Sequence, residues 1–234
     1  MKGAKVFEIS TLRNKTHVFK DRDEAGLFLA RMMEPYYRDA PDTLVLGIPS
    51  GGVPIAIAIS KDLNLPLDLF IVRKIQIPGN PEAGMGSLSF TGGLYLNQEL
   101  IDRLGITPQQ VEWQIERTRK ELEKRNRLFR DGRPLPDFSG KTVIIADDGL
   151  ASGFTTLAVI RGVKRGGAKR VVVSAPTGSD TAIDRLKEEA DEIFCPNIRG
   201  GFYYAVADAY LNWYDLEPEE VIERLKRAGY LKTR

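Results

Sequence analysis

Short runs of Val, Ile and Leu alternate with amphipathic segments along most of the chain. The apolar runs lie in DTLVLGIPSGG, LDLFIVRK, KTVIIADD, KRVVVSAP and DEIFCP. Near-continuous apolar runs are typical of parallel strands that are buried on both faces. Segments with helical period lie between them, such as VPIAIAISKDLNL, TTLAVIRGVKRGG and TAIDRLKEEA. The alternation predicts a Rossmann-like α/β fold, in which helices flank a parallel sheet.

The two ends of the chain and one central segment add further elements. KVFEIS and THVFK read as two short strands and predict an N-terminal hairpin. Asp21, with Glu24 three residues later, predicts the start of a helix over RDEAGLFLARMMEPYY. Thr107 and Pro108 predict the start of a long charged helix, TPQQVEWQIERTRKELEKRNRLFR, and EPEEVIERLKRAGY predicts a closing helix.

Residues 75–97 break this pattern. The segment IQIPGNPEAGMGSLSFTGGLYLN is rich in glycine and proline, which predicts a long loop with a small strand or hairpin near its end. Loops of this length are usually either disordered or functional covers. The composition alone leaves both possibilities open for this segment.

Composition narrows the classes of protein. The 234 residues and the hydrophobic share of 42% predict one domain, residues 1–234, with a packed core. The formal net charge of +2 gives no general attraction to nucleic acid, so any anion site must be local. No apolar stretch approaches the ~18 residues of a membrane span. Cys195 is the only cysteine, and the N-terminus lacks the apolar run of a signal peptide, so we expect a reducing, cytoplasmic location.

The segment TVIIADDGLASGFTT carries the clearest chemistry. A buried strand ends in Asp147 and Asp148, and a loop rich in glycine and hydroxyl residues then opens a helix. A helix start of this kind offers free backbone N–H groups to an anion. Carboxylates repel a bare phosphate but accept hydrogen bonds from the two hydroxyls of a vicinal diol. The combination predicts a sugar phosphate as ligand.

Two other interpretations of this loop compete with a sugar-phosphate site. A structural turn with a helix cap needs only one acid and one glycine. Paired acids at a strand end also bind divalent metals, but such a site would call for a lysine at a neighbouring strand end and no anion loop. The segment matches neither the P-loop nor the Rossmann glycine pattern.

A second glycine loop and a basic pair are predicted at the same sheet edge. GIPSGGVP follows the first core strand and reads either as a plain βα turn or as a second anion loop. A hydrolase nucleophile is excluded because Ser50 does not lie in G-x-S-x-G and the only histidine is His17. Arg73 and Lys74 end a buried strand, either as surface cations or as partners of a phosphate group.

VIIADDGLASGFTT resembles the ribose-phosphate signature of type I phosphoribosyltransferases, in both residue order and context. The resemblance extends from about Asp21 to the last helix and is greatest to a branch with an unassigned acceptor. It implies that Asp147 and Asp148 hold the ribose hydroxyls of phosphoribosyl pyrophosphate. It also implies that the loop wraps the 5′-phosphate, with the Phe154 ring pointing out of the phosphate pocket. The residues implied in donor binding are Asp147, Asp148, Gly149, Leu150, Ala151, Ser152, Gly153, Phe154 and Thr155.

The resemblance also gives the other segments their roles. Ser50, Gly51 and Gly52 would bind pyrophosphate through backbone N–H groups, with a cis peptide at Ser50–Gly51 or Gly51–Gly52. Arg73 and Lys74 would bind the same group and, with the two aspartates, act in catalysis. Residues 75–97 would close over the substrate and exclude water.

The acceptor and the cofactor follow from the same resemblance. Residues 195–214 would form a small hood over a planar acceptor, with Phe202 or Tyr203 stacked on it. A packed aromatic core is the alternative for this cluster. Mg²⁺ would be held mainly through the donor, with no direct protein ligand, and a homodimer is implied. The alternatives to a nucleobase phosphoribosyltransferase are a regulator that senses phosphoribosyl pyrophosphate or a nucleotide, and a hydrolase of sugar phosphates.

Overall fold

Eleven strands and seven α-helices are assigned in the computed structural model, which describes residues 3–201 and 203–232. The strands, in chain order, are β1 (Lys5–Phe7), β2 (Thr43–Gly47), β3 (Leu67–Leu69), β4 (Val72–Ile77), β5 (Asn80–Ser89), β6 (Leu94–Leu96), β7 (Thr142–Ala146), β8 (Arg170–Ser174), β9 (Thr177–Ser179), β10 (Glu192–Phe194) and β11 (Asn197–Arg199). The helices are α1 (Arg22–Tyr37), α2 (Gly52–Leu63), α3 (Gln98–Arg103), α4 (Pro108–Arg130), α5 (Phe154–Arg165), α6 (Asp180–Lys187) and α7 (Pro218–Arg227).

The central sheet has six strands in the order β1-β10-β8-β7-β2-β3, and every neighbouring pair is parallel. Its middle strands are buried on both faces, as their unbroken Val and Ile runs predicted. The parallel α/β architecture expected from the sequence is confirmed. The carboxyl ends of β2, β7 and β8 therefore meet at one edge, where parallel sheets bind their ligands.

Helices cover both faces of this sheet. Leu29 and Met33 of α1 and Ile55 and Ile59 of α2 are buried against one face. Helices α5 and α6 pack on the other, where Val163 belongs to the core. Helix α1 begins where its sequence predicted, since the Asp21 carboxylate accepts a hydrogen bond from the Glu24 N–H at 2.9 Å.

The expected N-terminal hairpin is wrong. β1 is the edge strand of the central sheet and pairs in parallel with β10. Among residues 16–20 only Phe19 makes a strand-like contact, a parallel bridge to Tyr210. Two short strands so close in sequence suggested a local pairing, but each finds a partner near the C-terminus.

The strand predicted over LDLFIVRK is divided between two sheets. Phe70 still donates its N–H to Gly47 O of the central sheet at 3.0 Å, whereas Ile71 O accepts the Phe90 N–H at 2.9 Å. The chain therefore leaves the central sheet between Phe70 and Ile71. Residues 75–97, predicted to be mainly loop, lie mostly in the antiparallel sheet β4-β5-β6. Of the glycines that suggested a loop, Gly84 and Gly86 lie within β5, whereas Gly79, Gly92 and Gly93 lie in the connections between the strands.

A third apolar layer supports this second sheet. Ile75 and Met85 of the sheet pack with Leu122 and Phe129 of α4 and Leu225 of α7. Helix α4 starts and ends as predicted, with a capping box formed by Thr107 and Gln110. Within the described ranges, no helix is both long enough and apolar enough to cross a bilayer.

Arg130 at the end of α4 ties this layer to the central sheet. Its side chain is fully buried, and its guanidinium donates to both Asp68 carboxylate oxygens, at 2.8 and 3.1 Å. It also donates to Asn126 Oδ1 and to the carbonyls of Arg133 and Pro134. A buried cation with this many acceptors is satisfied only while all of them stay in place.

Replacing Arg130 should therefore destabilise the fold strongly. We expect Arg130→Ala to lower the free energy of unfolding by about 3–5 kcal/mol, because the largely buried carboxylate of Asp68 loses its counter-ion and the acceptors of Asn126, Arg133 and Pro134 lose their donor. The matched control is Arg127→Ala on the same helix, whose exposed ion pair with Glu123 is worth less than about 1 kcal/mol. Urea unfolding of both variants measures the difference, and equal losses would contradict the assigned role of Arg130.

Candidate active site

Two aspartates lie side by side at the carboxyl edge of the central sheet. Asp147 and Asp148 follow β7 directly, and both are half-buried. The Asp147 N–H donates to Ser174 O of the next strand at 3.1 Å, and the Asp148 N–H donates to Asp147 Oδ1 at 2.9 Å. The backbone thus fixes the pair where the parallel strands end.

Arg22, which the sequence analysis did not select, is the counter-ion of this pair. Its Nε lies 2.9 Å from Asp148 Oδ2, and only 7% of its side chain is exposed. The same guanidinium donates to Tyr214 O at 2.9 Å and lies 3.9 Å from the ring centre of Trp213. A lone arginine in the first turn of a helix carries no sequence signal, because its partner is 126 residues away.

The two carboxylates differ in their electrostatics. Burial and the negative charge of Asp148 raise the pKa of Asp147 well above the ordinary value. Burial raises the pKa of Asp148 as well, but the charge of Arg22 opposes that shift. Arg22 therefore stabilises the ionised form of Asp148.

The loop after the aspartates is braced from one side. Leu150 exchanges backbone hydrogen bonds with Thr177 and Ser179, both at 2.9 Å. Ser179 Oγ donates to Ala151 O at 2.6 Å, and Arg185 donates to Ser152 O. The carbonyl groups of Leu150, Ala151 and Ser152 are thus all engaged as acceptors, whereas only the N–H of Leu150 is used as a donor in these bonds.

The helix that follows starts at the loop itself. Gly153 precedes α5 with a φ of +76°, a left-handed conformation that glycine adopts without strain. The first N–H of α5 with an intrahelical partner belongs to Leu157, which donates to Gly153 O at 2.9 Å. The N–H groups of Phe154, Thr155 and Thr156 precede it and offer donors to an anion.

Phe154 has its ring on the outside of this helix start. The ring stacks on Tyr95 of β6 with 4.8 Å between the centroids, and the Arg185 guanidinium lies 4.0 Å from its centre. The bulky side chain thus joins the loop to the second sheet.

The Ser50–Gly52 loop lies against the aspartates. A Cβ on Gly51 would come within 1.9 Å of Asp148 Oδ2, and one on Gly52 within 2.4 Å of Ala146 O. Only glycine fits at either position, since any side chain would displace the acid pair or its strand. The structure therefore joins the two glycine loops into one site.

The position of the cis peptide differs from the prediction by one residue. The cis bond is Pro49–Ser50, and no other peptide in the described residues is cis. Gly51 already has helical angles (φ −61°, ψ −34°), and α2 begins at Gly52. The two glycines thus belong to the start of the helix, and the irregular bond precedes them.

Comparison with known proteins fits this geometry. Residues 90–212 match the family model of the phosphoribosyl transferase domain, a range that contains the aspartates and the loop after them. TT1426 of Thermus thermophilus, known from its crystal structure, is 33% identical. The superposition has a TM-score of 0.71 and covers 89% of this chain and 98% of that chain.

The chain belongs to the type I phosphoribosyltransferase family. Rv0571c of Mycobacterium tuberculosis, whose name provisionally describes a phosphoribosyl transferase, is 33% identical over 211 residues. The match covers 90% of this chain and 47% of the relative, so the chain spans about half the length of the curated relatives it matches. AQ2163 of Aquifex aeolicus shares only the fold, at 15% identity and a TM-score of 0.51 over 81% of this chain and 78% of that chain.

The sequence suggested that Arg73 and Lys74 end a strand of the core sheet, and this prediction is wrong. Both lie within β4 of the second sheet, and neighbouring residues of a strand point to opposite faces. Lys74 is paired across the sheet with Ser87, and Ser87 with Tyr95, so this row shares the face on which Tyr95 meets Phe154. Arg73 lies on the α4 side, where its charge acts on Arg125.

The hood region, residues 195–214, contacts the acid pair directly. Tyr210 donates its hydroxyl to Asp148 O at 2.6 Å, and Val206 packs so closely on Gly149 that a Cβ there would lie 2.4 Å away. Tyr204 donates to Thr177 Oγ1 at 3.3 Å. Of the two predicted acceptor residues, Tyr203 is 80% exposed, and Phe202 lies outside the described residues.

Removing the charge of Asp147 should stabilise this phosphoribosyltransferase-family protein. Because the pKa of Asp147 is raised in the folded state, the folded protein binds this proton more tightly than the unfolded chain does. The free energy of unfolding therefore falls as the pH rises from the ordinary value of 3.8 through the raised pKa of the folded state. We expect Asp147→Asn to raise the free energy of unfolding by about 1–2 kcal/mol at pH 7.5. Thermal melting at pH 4.5, 6.0 and 7.5 should show the gain shrinking as the pH falls.

Asp148→Asn is the matched comparison, since it makes the same change one residue later. It leaves the buried Arg22 without its ionic partner, so we expect a loss of about 3 kcal/mol at neutral pH. If both variants changed stability in the same direction, the assigned difference between the two carboxylates would be wrong.

Proposed function

We propose that this protein transfers the 5-phosphoribosyl group of phosphoribosyl pyrophosphate to a nitrogen acceptor, a nucleobase, and releases pyrophosphate. The observation that carries the proposal is the adjacency of the acid pair and the N–H groups at the start of α5. One part of this arrangement suits a diol and the other a phosphate. Membership of the phosphoribosyltransferase family supports the same reaction class.

The sugar would be held by the two aspartates. Arg22 engages Oδ2 of Asp148, which leaves Oδ1 of that carboxylate to accept a hydroxyl proton. Asp147 receives the Asp148 N–H on Oδ1 and has Oδ2 for the second hydroxyl. The 5′-phosphate would then lie on the N–H groups from Ser152 to Thr156, and this binding far from the reacting bond orients the sugar.

The leaving group would meet the Ser50–Gly52 loop, which packs on Asp148. Lys74 would add a positive charge from the donor side of β4, whereas Arg73 is directed toward α4. In the reaction the bond between C1′ and the pyrophosphate oxygen breaks, and pyrophosphate leaves with the electron pair. The acceptor nitrogen forms the new bond to C1′ and gives up a proton. The negative charges of Asp147 and Asp148 stabilise the positive charge that develops on the ribose.

Mg²⁺ would be bound with the donor. The described residues contain no group of three or more His, Cys, Asp or Glu side chains placed to hold a metal, and Arg22 already engages one of the two carboxylates. These side chains fit an ion held mainly by the oxygens of the donor. Such an ion neutralises charge on the departing pyrophosphate.

The second sheet and the hood would close the site. Residues 75–97 reach the phosphate loop through the Tyr95–Phe154 stack, so this segment is placed to cover the bound donor and exclude water. The hood reaches the acid pair through Tyr210 and Val206. The exposed ring of Tyr203 gives a planar acceptor a surface for stacking.

Pyrophosphate release tests the proposal. With donor, Mg²⁺ and a panel of nucleobases, we expect at least one base to support release. Asp147→Asn combined with Asp148→Asn should lower kcat/KM by about 10²-fold or more, since two charge-assisted hydrogen bonds are lost. The matched control is Asp184→Asn, an exposed aspartate of α6.

The outcome also separates the reaction from its alternatives. Donor binding without release for any base would replace the transferase with a sensor of the donor. Phosphate release from simple sugar phosphates without an acceptor would favour a hydrolase. Unchanged turnover in the double variant would remove the acid pair from the mechanism.

A further inference from the structure

Arg199 lies at the base of the hood, at the end of β11. This strand pairs in parallel with β9, and the register places Arg199 opposite Ser179. Ser179 in turn donates its hydroxyl to Ala151 O of the phosphate loop at 2.6 Å. The strand that carries Arg199 is therefore fixed, through β9, to the loop that would hold the donor.

The guanidinium of Arg199 contacts one segment, residues 203–210, which we call the hood loop. It donates to Ala205 O, and its Nη1 lies 3.5 Å from Asp208 Oδ2. Its central carbon lies 4.5 Å from the ring centre of Tyr204. Only 7% of Arg199 is exposed, so these contacts are made largely out of water.

The two halves of the hood loop are held in different ways. In the second half, the carbonyls of Asp208 and Ala209 accept backbone N–H groups from residues 17 and 19, at 2.7 and 3.0 Å. Residues 203–207 make no backbone hydrogen bond to another segment of the described chain. The first half therefore depends on side chains, and Arg199 contacts it at both Tyr204 and Ala205.

The first half of the hood loop carries the groups that face the proposed site. Val206 packs on Gly149 beside the acid pair, and Tyr203 has the exposed ring offered to an acceptor. Residues 203–205 belong to no helix or strand. Their position over the acid pair is thus set by contacts such as those of Arg199.

One donor of Arg199 indicates a role other than stability. Its Nε is buried without a hydrogen-bond partner, and within residues 3–201 and 203–232 the only other such side-chain nitrogen or oxygen is Ser87 Oγ. An unpaired buried donor costs stability, so its presence in a native fold calls for a reason. The contacts of the same guanidinium to the hood loop supply a functional one.

We propose that Arg199 is a positioning residue for the acceptor, because it holds residues 203–207 over the acid pair. This inference rests on the proposed function. The acceptor nitrogen must lie against C1′ of the bound donor, and a small displacement from that geometry slows transfer. The contacts of Arg199 go to the hood loop, so loss of the guanidinium should loosen the acceptor side of the site and leave donor binding intact.

Hydrogen exchange of backbone amides tests the ordering role without any reaction. We expect Arg199→Gln to speed exchange about tenfold or more in peptides that cover residues 203–207, with exchange in β7 and β8 unchanged. Arg161→Gln is the matched control, since it makes the same charge change at an arginine paired with Glu189. Equal exchange of the hood loop in the two variants would overturn the inference, and so would faster exchange throughout the central sheet.

Arg199→Lys keeps the charge beside Asp208 and provides a second variant if Arg199→Gln fails to fold. Lysine has no planar group to stack on Tyr204 while it bonds Ala205 O and Asp208. We therefore expect exchange in the same peptides to be about threefold faster than in the wild type. Exchange as slow as in the wild type would show that the charge alone suffices, and the assigned geometry would be wrong.

Kinetics and donor binding then separate the two sides of the site. With a base that supports pyrophosphate release, Arg199→Gln should lower kcat/KM for the base about tenfold, mainly through KM. The Kd of phosphoribosyl pyrophosphate, measured by calorimetry, should stay within about twofold of the wild type. Equal weakening of donor and acceptor would reject the acceptor role. If no base reacts, the proposed function fails, and hydrogen exchange alone decides whether Arg199 orders the hood loop.

Discussion

The ion pair between Arg22 and Asp148 makes the proposed site tenable. Two adjacent carboxylates at a half-buried strand end repel each other, and burial disfavours the charge of both. The guanidinium of Arg22, itself buried and stacked on Trp213, supplies the opposite charge. Because it also bonds Tyr214 O, it draws the first helix and the C-terminal segment to the same carboxylate. The acid pair at the sheet edge therefore has a counter-ion from the protein itself.

Around this acid pair, glycines stand at two positions where a side chain would collide with a neighbouring group. Gly51 approaches the carboxylate of Asp148, Gly149 approaches Val206, and Tyr210 bonds the Asp148 carbonyl. Two segments that are far apart in sequence, the Ser50–Gly52 loop and the hood, thus contact Asp148 and Gly149 from different sides. Such rigidity suits the proposed transfer reaction, because small displacements of the reacting groups cost rate. The second sheet contacts this assembly through the stack of Tyr95 on Phe154, among other contacts with α5.

Local signals in the sequence were sufficient for the parallel sheet, helices α1 and α4, and the strand–acid–loop–helix unit at Asp147. Unbroken apolar runs, helix caps and the residue order of the loop all act within a few positions. The errors arose where distant residues decide the structure. β1 pairs with β10, which follows it by more than 180 residues. LDLFIVRK reads as one strand in the sequence, although the Ile71 carbonyl accepts a hydrogen bond from Phe90 of the second sheet.

The same limit applies to the site. Arg73 and Lys74 looked equivalent in the sequence, but they alternate along β4. The charge of Arg73 acts on Arg125 of α4, whereas Lys74 lies in the row that pairs with Ser87 and Tyr95. Arg22 gave no signal, because its role depends on a contact across 126 positions.

The most direct test of the central claim is the affinity for two sugar phosphates that differ in one hydroxyl. If the acid pair binds the diol while the loop binds the phosphate, ribose 5-phosphate should bind about tenfold or more tightly than 2-deoxyribose 5-phosphate. That preference should vanish in Asp147→Asn combined with Asp148→Asn, with the phosphate contribution retained. Equal affinities of the wild type for the two sugars would contradict the account.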